Sequence, residues 1–135
     1  MRGQAAFEYL MIFSIVMVLV LIMVAYASQT TERNQEELRL SNAISAANDI
    51  VDAANIVNTQ GSPSQITLTS VYIPEGIDSI NITGNMIIIK VRVASGITDV
   101  FVTSKATLDG SISNVQGVKR IRIKAEEYNV TIAEV

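Results

Sequence analysis

The sequence predicts an α+β protein, in which a long N-terminal helix, apolar in its first half and amphipathic in its second, packs against a C-terminal antiparallel β-sheet domain. Three observations lead there. No glycine lies between Gly3 and Gly61 and no proline precedes Pro63, so the first part of the chain lacks both strong helix breakers. From Tyr9 to Ala27 every residue except Ser14 is apolar or aromatic. From Gln65 onward the hydrophobic period switches to two.

The helix is expected over residues 4–58. Its segment 9–27 spans roughly 28 Å at helical rise, about the hydrocarbon thickness of a bilayer. Leu10, Met11, Ile12, Phe13, Ile15, Val16, Val18, Leu19, Leu21 and Ile22 make it apolar on every side, with Met11, Met17 and Met23 as adaptable fillers. Beyond it, Leu40, Ile44, Ala47, Val51, Ala54 and Val57 recur at three- and four-residue spacing, while Glu37, Asn48, Asp49, Asp52 and Asn55 fall mostly elsewhere. The second half therefore has one face to bury. The polar run from Ser28 to Glu37 is where bending or melting is easiest. Thr59 to Ser64 then reads as a stop, with a glycine suited to the position after the helix and a proline soon after.

Residues 65–135 form the β-rich domain. Strands are expected in QITLTSVYI, IDSINIT, MIIIKVRVA, ITDVFVTSKA, VKRIRIKA and YNVTIAEV, six or so in all, with turns at PEG, TGN, ASG, LDGS and VQG. Ile87, Ile89, Val91 and Val93 share one face of their strand, as do Ile121, Ile123 and Ala125 of theirs. The opposite faces carry Lys90 and Arg92, and Arg120, Arg122 and Lys124. A single sheet so patterned needs a cover on its apolar side, and the stripe from Leu40 to Val57 supplies one.

Composition narrows the function. The 135 residues include no cysteine and no histidine, which removes disulfides, thiol nucleophiles, imidazole bases and nearly all transition-metal sites. Asp78, Asp99, Asp109, Glu126 and Glu127 form no catalytic motif, so no enzyme activity, cofactor or metal is expected. A net charge of −3 argues against nucleic-acid binding, for which a basic surface is the main source of affinity. The basic strands read as a solvated sheet face guarding against edge pairing, as a polyanion patch, or as partners of Glu75, Asp78, Glu126 and Glu127 on neighbouring subunits.

The N-terminus has three readings. A secretory signal peptide would use Arg2 as its charged start and Ala25-Tyr26-Ala27 as its cleavage site. A single-pass anchor would place Tyr9 and Tyr26, about 26 Å apart on a helix, at the two membrane interfaces. The third reading rests on Gly3-Gln4-Ala5-Ala6-Phe7-Glu8-Tyr9-Leu10. This stretch resembles the class III signal peptide of archaeal type IV pilin-like proteins, a short basic leader ending in glycine before a Q-x-S-x-E-x-x-L-like motif and an apolar helix. Gln4, Glu8 and Leu10 or Met11 take the motif positions, and Ala6 stands where the family often has serine.

The resemblance implies a pilin-like fold and cleavage of leader residues 1–3 between Gly3 and Gln4 by a membrane-embedded prepilin peptidase. It also implies a membrane-inserted precursor, an assembly ATPase and membrane platform protein as partners, and a helical homopolymer on the cell surface. Adhesion is the expected role; a motility-filament (archaellum) or minor subunit is the alternative within the family. A membrane-anchored or secreted binding domain that never polymerises is the alternative outside it. Cleavage would create an α-ammonium at Gln4, four residues from Glu8. Two N-x-S/T sequons, at Asn81 and Asn129, mark candidate glycosylation sites, each expected on the exposed side of its strand, with Tyr128 turned inward beside Val130 and Ile132.

Overall fold

The computed structural model describes residues 2–135, with the side chains of Arg2, Gly3 and Ala5 left aside. Met1 lies outside the described residues, and so does the side-chain detail of the expected leader at residues 1–3, including Gly3. Among the described residues there is one helix, α1 (Arg2–Gln60), and seven strands: β1 (Gln65–Ile73), β2 (Ile77–Thr83), β3 (Met86–Val93), β4 (Gly96–Thr103), β5 (Leu108–Ser111), β6 (Gly117–Ala125) and β7 (Val130–Glu134). The chain divides into two compact units, Met1–Glu36 and Glu37–Val135.

The first unit is helix alone. Its serine and threonine hydroxyls are satisfied within the helix, because those of Ser14, Ser28, Thr30 and Thr31 donate to the carbonyls four residues back at 2.7–3.0 Å. The run Ser28–Glu37, the easiest place to melt by composition, is helical.

In the second unit α1 presents an alanine-rich face. Ala43, Ala46, Ala47, Ala53 and Ala54 are buried together with Ile50, Val51 and Val57. This shifts the expected stripe: Ala47, Val51, Ala54 and Val57 hold their place, Leu40 is half-buried, and Ile44 is 43% exposed. The centre of the face runs through positions 43, 47, 50, 54 and 57, one per turn, and leaves Ile44 at its margin. Alanine adds little volume, so the sheets approach closely and supply the bulk with Ile73, Ile87, Ile89, Ile121, Ile123 and Ile132.

The helix stops where expected. The Gly61 N–H donates to the Val57 carbonyl at 3.0 Å with Gly61 at φ 77°, a left-handed cap that a side chain would oppose. The Ser64 hydroxyl donates to the same carbonyl at 2.9 Å.

The strands form two sheets rather than the single one expected, in the orders β1-β6-β7-β5 and β2-β3-β4. Pairing is antiparallel except for β5 with β7, which is parallel. The expected turn at LDGS is the strand β5. Its glycine is there for a different reason from turning: a Cβ on Gly110 would lie 1.9 Å from the Ile132 carbonyl oxygen, and its φ is 133°. Where a glycine marks close backbone approach, composition alone reads it as a turn. The inner faces agree with the alternation, since Ile87, Ile89, Val91, Ile121, Ile123 and Ala125 are all buried.

A polar knot ties α1 to the connection between β4 and β5. Asn55 Oδ1 accepts from the Ser104 hydroxyl and from the Lys105 N–H, each at 2.9 Å, and the Ser104 Oγ accepts from the Ala106 N–H at 3.0 Å. Ser104 is the buried polar side chain among the described residues, and these bonds satisfy it.

Two stability measurements test these points. Gly110→Ala is expected to cost about 3 kcal/mol or more, because neither backbone can give way. Gly84→Ala, with nothing within 4 Å, should cost only the ~1–2 kcal/mol of a left-handed residue; equal losses in thermal unfolding would contradict the close approach. Asn55→Leu should cost about 1–3 kcal/mol by orphaning the Ser104 hydroxyl and the Lys105 N–H, which chemical denaturation would register as a lower midpoint.

Candidate assembly surfaces

The first surface is the helix of residues 6–27. Its most apolar 18-residue window has mean hydropathy 2.9 and none of it is buried. Leu10, Met11, Ile12, Phe13, Ile15, Val16, Val18, Leu19, Leu21 and Ile22 are all exposed, as are Tyr9 and Tyr26. The segment is long and apolar enough to serve as a membrane anchor or signal sequence. A contiguous apolar surface of this extent requires lipid or another protein to cover it.

Glu8 stands at the edge of that surface. Its side chain is exposed and makes no ion pair or hydrogen bond with any described residue. Gln4 is also exposed and sits one turn earlier, so the two project from the same side of the helix. The helix dipole favours a carboxylate near this terminus by up to about 1 kcal/mol, far less than an unpaired charge costs beside hydrocarbon.

The second surface is the outward face of the β1-β6-β7-β5 sheet. Of its exposed cations Arg120, Arg122 and Lys124, Lys124 alone has an ion-pair partner among the described residues. Lys119 meets Glu134 at 2.7 Å and Lys124 approaches Glu126 at 3.9 Å, while on the other sheet Arg92 meets Asp78 at 2.7 Å. Arg39 of α1 pairs with Glu75. Glu75, Asp78 and Glu126, which the sequence offered to neighbouring subunits, thus already have partners in their own chain. Intrachain pairing was not legible because the register and the loops that bring the charges together are tertiary facts.

Glu134 is the most engaged of these acids. The Lys119 ammonium, bonded to it, and the Ser113 N–H, donating at 3.1 Å, hold its carboxyl below the usual carboxylate range.

Of the two sequons, Asn81 is exposed on β2 and Asn129 is half-buried. Tyr128 is 86% exposed, against the expectation that it faces inward with Val130 and Ile132. The reason is that β7 begins only at Val130; Tyr128 belongs to the turn in which the Glu126 N–H donates to the Asn129 carbonyl at 2.8 Å. Sequence reasoning missed the outer face of β4, where Ile97 and Phe101 are exposed. The signal was present in ITDVFVT, whose alternation sets Ile97, Asp99 and Phe101 opposite Val100 and Val102.

A shallow groove of about 440 Å³ lies where α1 meets the edge of β1, lined by Asp49, Asp52, Ile56, Ile66 and Leu68 among others. Among the described residues no group of His, Cys, Asp or Glu side chains gathers to hold a metal ion. Compared with known protein families, curated proteins and solved structures, the chain matches none of them.

The Glu134 pair gives a pH prediction. Because the folded carboxyl titrates lower than the unfolded one, its contribution is complete above the ordinary value of 4.5 and is lost as pH falls through the lower folded value. Glu134→Gln should therefore be less stable than the parent above pH 5, and the gap should close on acidification below 4.5. A gap independent of pH would remove the charge pair as its cause.

Proposed function

We propose that the chain is a structural subunit of an archaeal type IV pilus-like surface filament with an adhesive role, matured by removal of residues 1–3 and assembled through its apolar helix. The observation that carries this reading is Glu8, an exposed carboxylate without a partner among the described residues, at the edge of a segment that carries no other charge through Tyr26.

Cleavage after Gly3 supplies what Glu8 lacks. The new α-ammonium of Gln4 on an incoming subunit meets the Glu8 carboxylate of one already placed, and in an apolar medium the pair is strong because the alternative is two unpaired charges. Each large apolar side chain from Leu10 to Val24, exposed in the single chain, gains roughly 1.5–3 kcal/mol on leaving water. Side chains apolar on every side of the helix suit lipid before assembly and neighbouring helices after it. Repetition along an operator that does not close gives a fibre.

The partners that follow are other copies of the chain, the prepilin peptidase, the assembly ATPase and platform protein, and the membrane that holds the precursor. A single-pass anchor would use the same apolar segment but has no use for Glu8, and this separates the two readings.

Sequencing the N-terminus of the mature protein decides between them. Gln4 supports the filament, Ser28 an ordinary secreted domain, and Met1 or Arg2 an anchor. Glu8→Ala should still be processed yet assemble about a hundredfold less well, as follows from losing ~3 kcal/mol per contact. Unchanged assembly by sedimentation of sheared filaments would sink the pairing.

A further inference from the structure

The β2-β3-β4 sheet has one face in the core and one outside it. Ile89 and Val100 are buried on the inner side and Ile80 is half-buried with them. On the other side the register aligns Asn81, Ile88 and Phe101 in a single cross-strand row. Asn81 is exposed, Ile88 half-buried, and Phe101 68% exposed, so an apolar strip runs across the sheet with a carboxamide at its β2 end. That carboxamide makes no hydrogen bond to any described residue. The next row on one side carries Ser79, Lys90 and Asp99, and on the other Thr83 and Thr103 flank Met86. An exposed aromatic ring bordered by hydroxyl, ammonium and carboxylate groups suits a sugar, whose C–H face stacks on apolar surface while its hydroxyls meet polar neighbours.

We propose that Asn81 carries a saccharide and that the row Ile88–Phe101 is its seat, the first sugar lying over Ile88 and the next over Phe101. This rests on the surface reading above, since it requires the β domain to lie outside the cell. The occupant is fixed by position: Asn81-Ile82-Thr83 is an acceptor sequon, and it opens directly onto the strip. Spacing agrees as well, because strands lie about 4.8 Å apart and a linear sugar chain advances by roughly 5 Å per unit. Asn129 lacks these features. It is half-buried, its carbonyl is held in a turn, and the strand that follows it, β7, is flanked on both sides by β6 and β5.

Attachment joins Asn81 Nδ2 to the anomeric carbon of the sugar. The bond from that carbon to a phosphate oxygen breaks, the phosphate leaves with the electron pair, and the amide proton passes to a base of the transferase. The donor is thus a saccharide activated as an anomeric phosphate ester.

Occupancy and seating are tested separately. Mass spectrometry of the full chain from cells with a glycosylation system should find a saccharide on Asn81, lost in Asn81→Gln and Thr83→Ala and retained in Asn129→Gln. A bare Asn81 on a domain that external protease can remove from intact cells overturns the proposal; a domain that protease never reaches sinks the surface reading and occupancy with it. For seating, the absence of cysteine lets Asn81→Cys serve as a single thiol, alkylated with an iodoacetamide derivative of the disaccharide N,N′-diacetylchitobiose on the full chain in detergent. The expected result is a Tm about 4 °C above that of the acetamide-capped thiol, with the sugar protons shifted upfield and both effects lost in Phe101→Ala. An equal rise in Phe101→Ala overturns the seat. So does a Phe101→Ala chain whose sole defect is weakened self-association without sugar, which would give the face to a second copy.

Discussion

The folded domain depends on one contact, the closure of two sheets over the alanine face of α1. Ala43, Ala47 and Ala54 are wholly buried and offer almost no side-chain volume, so the backbone of the helix itself becomes the floor of the core. Isoleucines of the two sheets fill the space above it. A larger residue on that floor would lift both sheets at once, because interiors packed to crystal density have no slack to absorb it. The polar knot at Asn55 and Ser104 sits beside this floor and fixes the helix against the β4–β5 connection. Apolar packing brings the layers together, and directional bonds at one end select a single alignment.

The same helix follows opposite chemistry in its two halves. Between Ala43 and Val57 small and apolar side chains occupy one face and charged ones the other; between Leu10 and Val24 no polar face exists. The domain is therefore complete in water, whereas the apolar segment is incomplete until lipid or protein covers it. Glu8 belongs to the incomplete part. The function proposed above rests on the surface that the single copy leaves uncovered.

Much of this architecture was legible because it rests on local rules. The absence of breakers from Gln4 to Gln60 marks the helix, Gly61 its end, and alternation the inner residues of β3 and β6. What stayed hidden was set by distant partners. Asp-Gly in LDGS is a turn by composition, and only the presence of β7 makes it a strand. The division into two sheets, the displacement of Ile44 to the margin and the in-chain pairing of Glu75 and Asp78 likewise follow from which strand lies beside which. Of the candidate site, Glu8 and the sequons were plain in the sequence, while the row that joins Asn81 to Phe101 needed the register of three strands.

The place of β7 in its sheet governs the order in which the domain can come into being. Although late in the chain, it lies between β6 and β5, so β5 has no neighbour in its sheet until residues 130–134 arrive. Pairing of β1 with β6 already spans some fifty residues, and contacts of such separation form slowly. A chain delivered from its N-terminus onward therefore stays open until almost all of it has emerged. Closure then comes as one late event, like a lid whose last slat locks the rest.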